Sequence, residues 1–222
     1  MSKQLIGVYG ASGFGREVMP LVRHELEKEA NSIKIVFIDD NTELTEMNSC
    51  PVVTYERFLA EEASEKLVTV AIANSEIRQK IFLKLTDDGV SIFDVKAPNV
   101  VVMDEVKLGE GSVLTPFVTL TSNIQIGVGF QANIYSYVGH DCIIGDFVTF
   151  APAVKCNGNV EIGDHAYIGT GAIIKQGRPG KPLKIGAGAV IGMGAVVMKN
   201  VPPGVTVLGN PAKPLTRESM RG

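Results

Sequence analysis

The chain has 222 residues, 45% of them hydrophobic, with 21 basic against 24 acidic side chains and a net charge of −3. That length accommodates one or two domains with real cores, and the charge balance leaves no basic footprint for a nucleic acid. No run of about eighteen apolar residues is present to span a membrane, and MSKQLIGVYG lacks the apolar segment and cleavage site of a signal peptide. A cytoplasmic protein is the expectation.

In chain order, Leu5–Tyr9 reads as a buried strand that runs into the glycine loop Gly10-Ala-Ser-Gly-Phe-Gly15. A helix follows, with Phe14, Val18, Leu21, Val22 and Leu26 on one face and Pro20 in its early turns. Ile33–Asp40 is a second strand ending in two carboxylates, and Thr54 caps a short helix over Tyr55–Ala63. Leu67–Ala73 gives a third strand, Ser75–Asp87 a helix with Ile77, Ile81 and Leu85 inward, and Val90–Val95 a further strand. Strands alternating with helices predict a small parallel, doubly wound sheet. Ala97-Pro98-Asn99 reads as a linker, so the expected domains are 1–97 and 98–222.

Beyond the linker the chain counts in sixes. Val102, Leu108, Leu114, Leu120, Ile126, Ala132, Val138, Ile144, Phe150, Cys156, Ile162, Ile168 and Ile174 follow one another at that interval without a slip. Glycine often comes next (Gly109, Gly127, Gly139, Gly145, Gly163, Gly169), and a second apolar position recurs four residues on, as in Val118, Ile124, Val148, Val154 and Val160. Neither a helix nor a simple strand has this period; a prism of short parallel strands does, with the glycine expected to turn each corner. Eighteen residues make one three-sided coil, so Val102–Ile174 spans about four coils. The count breaks at Gly177–Lys184, which reads as an inserted loop, and restarts at Ile185, Ile191 and Val197. The expected fold class is therefore α/β plus all-β: a Rossmann-like domain followed by a parallel β-helix.

Two stretches have chemical potential. The glycine loop aims backbone N–H groups and a helix N-terminus at an anion, while Asp39 and Asp40, at the tip of the next strand, stand where an acid can hold a ribose hydroxyl. A plain tight turn competes with this reading, and about ninety residues leave little room for a full dinucleotide site. Of three histidines, His24 and His165 read as surface and corner residues. His140 follows an inward Val138 and Gly139, so its ring projects near a prism edge. An imidazole there has the pKa range for proton transfer near neutral pH, with an idle corner residue as the alternative. Cys50, Cys142 and Cys156 lack metal-site spacing, and the last two fall on buried repeat positions, which predicts free buried thiols.

The strings YGASGFGRE and FIDDN, then GHDCIIGDFVTFAP, NGNVEIGDHAYIGTGAIIKQG and VPPGVTVLGNPAK, resemble the bacterial hexapeptide-repeat sugar acetyltransferases over nearly the whole chain. That family includes the bacillosamine-pathway UDP-4-amino-sugar N-acetyltransferase, perosamine N-acetyltransferase and sialic acid O-acetyltransferase. The resemblance implies a left-handed β-helix, a homotrimer, and acetyl transfer from acetyl-CoA without a metal, in surface polysaccharide synthesis. Position by position, it implies His140 as general base, Asp141 as its supporting carboxylate, and Asn133 near the reacting amine. It also implies Gly158 as an N–H donor to the acetyl carbonyl, Gly158, Gly188 and Ile168 along the acetyl-CoA, and Gly10, Ser12, Gly13, Asp39 and Asp40 around the nucleotide sugar. Several relatives have a second histidine where this chain has Thr149. The implied substrate is a UDP- or dTDP-linked 4-amino-4,6-dideoxy sugar. A sialic-acid-type O-acetyltransferase is the alternative within the enzymes, and a non-catalytic nucleotide-sensing scaffold the alternative outside them.

Overall fold

The computed structural model describes residues 4–26, 33–41 and 43–215. The chain divides into two compact units, Met1–Lys96 and Ala97–Gly222. No helix among the described residues is long and apolar enough to cross a membrane.

The first unit runs β1 (Gln4–Tyr9), α1 (Gly13–Glu25), β2 (Ile33–Ile38), β3 (Glu46–Met47), β4 (Cys50–Val53), α2 (Tyr55–Ala60), β5 (Lys66–Val70), α3 (Ser75–Asp87) and β6 (Ser91–Ile92). Its sheet has the order β3-β4-β2-β1-β5-β6, with only β3 and β4 antiparallel. β1 lies centrally, and Leu5, Ile6 and Val8 are at most 2% exposed, as an apolar run does when both sheet faces are covered. The chain goes one way from β1 to β2 and the other way to β5, so the carboxyl end of β1 is a topological switch point, where open α/β sheets bind ligands.

Three local expectations change. The helix forecast over Tyr55–Ala63 stops at Ala60 because Glu61 is extended, and the Lys66 ammonium takes up the Leu59 carbonyl that further turns would have used. The single strand forecast over Val90–Val95 is two pairs, Ser91–Ile92 and Val95–Lys96. On α3, Ile81 and Leu85 are buried as expected, but Ile77 is 47% exposed and Arg78 is fully buried. Burial disfavours the Arg78 charge and pulls its pKa down. The carbonyls of Ile72 and Ala73 compensate by accepting from its Nη1 at 2.7 and 3.1 Å.

The second unit is a left-handed parallel β-helix with three faces. Face one carries Val113–Leu114, Gln131–Ala132, Thr149–Phe150, Tyr167–Ile168 and Val190–Ile191. Face two carries Thr119–Leu120, Tyr137–Val138, Lys155–Cys156, Ile173–Ile174 and Val196–Val197; face three carries Ile124–Ile126, Ile143–Ile144, Val160–Ile162 and Leu183–Ile185. Within the uninterrupted coils the register is eighteen residues, Gln131 to Thr149 to Tyr167 on face one for example. The six-residue series forms the core: Leu120, Cys156, Ile168, Ile174 and Ile191 are 0% exposed, and Val118, Ile124, Val148, Val154 and Val160 fill the second position equally well. Val102, at the start of the series, is 41% exposed.

The glycines after the inward residues have a different task from the one expected. None of Gly109, Gly127, Gly139, Gly145 or Gly163 is among the residues with positive φ; that conformation falls two positions later, at Gly111, Gly129, Asp141, Phe147 and His165. What excludes a side chain is the next coil. A Cβ on Gly139 would lie 2.6 Å from the backbone N of Gly158, and one on Gly163 2.5 Å from that of Ala187. Coils stack at about the interstrand spacing of 4.8 Å, too close for a Cβ directed along the axis.

Candidate active site

The three edges of the prism sort the candidate residues. His140, Asp141 and Gly158 lie on the edge between faces two and three, where Gly158 sits one coil beyond His140. His140 Nδ1 is 2.7 Å from Asp141 Oδ2. Because a carboxylate only accepts, Nδ1 donates this hydrogen bond, and in the neutral imidazole Nε2 is then the nitrogen with the lone pair. The hydrogen bond from His140 holds the Asp141 carboxyl below the usual carboxylate range, with a second donor, Asn123 Nδ2, 3.3 Å from Oδ1. Asp141 reaches this position with φ at +57°, which turns its side chain back toward its neighbour's ring.

Nε2 faces Gly158: a Cβ built there would stand 2.5 Å from it. Gly158 is buried, its carbonyl accepts from Gly177 N at 3.0 Å, and its own N–H forms no hydrogen bond among the described residues. The edge thus joins a basic nitrogen of assigned tautomer to an uncommitted backbone donor. Asn123 was missed in the sequence although the eighteen-residue coil puts it directly below Asp141; the repeat itself was the signal.

The other candidates lie elsewhere. Asn133 is on the edge between faces one and two, a face-width from His140 in the same chain, with its Oδ1 taking the Ile134 N–H at 2.9 Å. Gly188 is on the edge between faces three and one, at φ +65° with open space where a Cβ would be. Ile168 has its side chain 0% exposed in the prism core, and its carbonyl accepts from Ala151 N, so it presents no side chain at the surface. Thr149 is on face one and 6% exposed, away from the His140 edge. Cys142 and Cys156 are both 0% exposed; Cys142 Sγ points at the Asn157 carbonyl at 3.3 Å, and contact with Cys142 together with burial pushes the Cys156 thiol up. Neither is available as an acyl carrier.

In the first unit, Gly10 takes φ +108° and donates to Ile38 O, while Gly15 lets α1 approach so closely that a Cβ would lie 1.8 Å from the Gly10 carbonyl. Gly13 is different: it is exposed, and a Cβ there would meet nothing within 4 Å. Ser12 is the N-cap of α1 but its hydroxyl makes no capping bond, and the N–H groups of Gly13 and Phe14 have no partner among the described residues. Asp39, half-buried, and Asp40, exposed, both accept hydrogen bonds from within the unit. Asp39 Oδ2 accepts from Ala11 N at 3.0 Å and Oδ1 from Asn41 N; Asp40 accepts from Tyr9 OH at 2.9 Å and Tyr55 N at 3.0 Å. Burial, then Asp40, push the Tyr9 phenol up.

Residues 5–85 match the PglD N-terminal domain model. Over 214 residues, 96% of this chain and 97% of the relative, the sequence is 50% identical to a GDP-perosamine N-acetyltransferase of Escherichia coli O157:H7. This chain belongs to the sugar acetyltransferase family. It is an acyltransferase. The structure of WeeI from Acinetobacter baumannii AYE superposes with a TM-score of 0.93 at 59% identity, covering 96% of this chain and 100% of that one. PerB from Caulobacter crescentus, solved in complex with CoA and GDP-perosamine, gives 0.81 at 28% identity, covering 97% and 98%. Family membership accounts for both units together: a parallel sheet with a glycine loop at its switch point, and a β-helix whose edge bears an imidazole beside a backbone N–H without a partner among the described residues.

Proposed function

We propose that this sugar acetyltransferase moves the acetyl group of acetyl-CoA to the 4-amino group of a nucleotide-linked 4-amino-4,6-dideoxy sugar, in the cytoplasmic synthesis of a surface glycan. The observation that carries this reading is the His140 edge. An amine attacks a thioester only when uncharged, and His140 Nε2, left basic by the Nδ1–Asp141 bond, accepts the proton as the N–C bond forms. The carbonyl oxygen becomes an oxyanion, and the free Gly158 N–H donates to it; such a donor contributes about 2.7–4 kcal/mol to the transition state. The tetrahedral intermediate then expels the CoA thiolate. Positioning and a base suffice, with no covalent enzyme intermediate.

Asn133 reaches the amine from a neighbouring prism in a homotrimer. Support comes from its own edge, where Phe117 and Tyr135, 50% and 60% exposed, stack with centroids 4.8 Å apart, an apolar surface suited to a second copy. The nucleotide diphosphate binds the open N–H groups at Gly13 and Phe14, with Ser12 beside them, and Asp39 and Asp40 shape the loop. A uracil or thymine base is the reading from the sequence resemblance; the named relative, a GDP-perosamine N-acetyltransferase, adds guanine to the bases to be tried.

The test is acetyl transfer with UDP-, dTDP- and GDP-linked 4-amino sugars beside their 4-hydroxy counterparts. N-acetylation of one amino sugar is expected. Acetylation of hydroxyl acceptors alone, or of none, would overturn the proposal, and a monomeric mass by light scattering would overturn the trimer.

A further inference from the structure

The edge that carries His140 is held by more than its strand ladders. Asn157, the residue before Gly158, meets partners from the coils on both sides of its own. Its Nδ2 donates to Ile174 O at 2.8 Å, and its backbone N–H goes to the same carbonyl at 3.3 Å. Only the amide nitrogen can donate to a carbonyl, so Oδ1 is the atom on the other side, and it accepts from Tyr137 OH at 2.9 Å. Tyr137 and Asn157 are both half-buried. Burial, then Cys156, push the Tyr137 phenol up, so it keeps the proton it donates at neutral pH. Tyr137, Asn157 and Ile174 form a clamp across three consecutive coils.

The clamp bears on one peptide plane, that between Asn157 and Gly158. Its carbonyl faces inward: Cys142 Sγ stands 3.3 Å and Cys156 Sγ 3.8 Å from Asn157 O, and both thiols are 0% exposed. The peptide is trans, so the Gly158 N–H points opposite to that carbonyl, away from the core. A hydrogen bond to the carbonyl also polarises the plane and makes its N–H the better donor. Gly158 has no side chain to fix the plane, and it lies between Lys155–Cys156 and Val160–Ile162, outside both strands. Its aim therefore depends on Asn157. The His140 backbone joins the same frame, its carbonyl accepting from Asn159 N at 2.8 Å.

We propose that Tyr137 and Asn157 are positioning residues for acetyl transfer: their hydrogen bond, anchored on Ile174 O and backed by Cys142, holds the Asn157–Gly158 peptide with its N–H aimed at the oxyanion. This rests on the reading of Gly158 as the oxyanion donor and adds to it the residues that aim that donor. A donor already in place is rewarded when charge develops on the carbonyl oxygen, and much less by the ground-state thioester. The clamp is therefore expressed in kcat and not in substrate affinity. It acts apart from the base, whose brace is Asp141.

Steady-state kinetics of Tyr137→Phe and Asn157→Ala tests this, with Tyr137→Phe also made in a His140→Ala background. Outright loss of an oxyanion donor costs about 10²–10³ in kcat, so a misaimed one is expected to cost about tenfold in Tyr137→Phe and about 10² in Asn157→Ala. KM for both substrates, the shape of the pH profile and, for Tyr137→Phe, the unfolding midpoint should stay near those of the wild type. In the His140→Ala background Tyr137→Phe should still cost about tenfold, because donor and base contribute separately. A loss that vanishes there would assign Tyr137 to the base and overturn the proposal. Unchanged kcat in both single variants, or a rise in KM alone, would overturn it and leave the acetyl-transfer reading intact. Should Asn157→Ala fail to fold, Tyr137→Phe decides alone, since it removes one oxygen and keeps the ring. A wild type that transfers no acetyl group overturns the reading and the clamp with it.

Discussion

The glycine loop of the first unit and the His140 edge of the second both present backbone N–H groups, but they free them differently. At Gly13 and Phe14 the donors are spare because a helix has begun and no earlier turn exists to accept them. At Gly158 the donor stands at a corner of the prism, where the backbone leaves the strand ladder, and the imidazole packed against it leaves room only for a residue without a Cβ. The glycines divide accordingly. Gly10 and Gly15 are needed by the fold, Gly158 by the fit of one ring, and Gly13 by nothing in the folded chain itself. A glycine with open space around it, beside N–H groups without partners among the described residues, is where the proposed nucleotide-sugar site is tested most directly.

The largest expected effect breaks the second of these sites. His140→Ala lowers kcat by about 10²–10⁴, with trimer mass and both substrate affinities unchanged, and its residual rate still rises with pH as the sugar amine itself deprotonates. Steady-state kinetics with saturating substrates checks this; near wild-type kcat would return His140 to an idle corner. Gly158→Ala follows, because its methyl would stand 2.5 Å from Nε2 and must displace the ring. A loss of about 10²–10³ in kcat is expected from misplaced base and donor together, with little change in the unfolding midpoint.

The glycine comparison sharpens with a pair of variants in the first unit. Gly15→Ala should destabilise by about 1–3 kcal/mol or more, since its Cβ meets backbone at 1.8 Å. Gly13→Val should leave thermal stability nearly unchanged yet weaken nucleotide-sugar binding about tenfold by blocking the approach to the N–H groups. Equal stability loss in both would remove the distinction.

Asp141→Asn is expected to cost less, about tenfold in kcat, because the imidazole remains while its tautomer is less firmly held. The same carboxylate predicts a small pH effect. Its pKa is depressed in the folded state by the His140 hydrogen bond, so the stabilisation is present above the ordinary carboxylate value near ~4 and disappears as pH falls through the lower folded value. The wild type should lose a slight increment of stability over that acid window that Asp141→Asn never has, visible as converging melting temperatures.

The β-helix was legible because its rule is local and repeated. Every sixth residue packs beneath the same residue of the next coil, so Leu120, Ile144 or Ile168 could be assigned to the core without knowing anything distant in the chain. The alternation of strand and helix in residues 4–92 was legible for a similar reason, down to the Ser75–Asp87 helix. Pairing His140 with Asp141 needed only adjacency and the family resemblance. What tertiary structure alone decided depends on stacking between coils and on which groups a fold uses up. Asn123 joins Asp141 from one coil away, and the His140 ring lies against Gly158, whose N–H has no partner among the described residues. Asp39 and Asp40 are occupied by Ala11, Asn41, Tyr9 and Tyr55, partners no motif names. Arg78 looks exposed by its chemistry and is buried because two carbonyls lie within reach. A hydrophobic period is a property of one segment, whereas a satisfied donor or an open Cβ position is a property of everything packed around it.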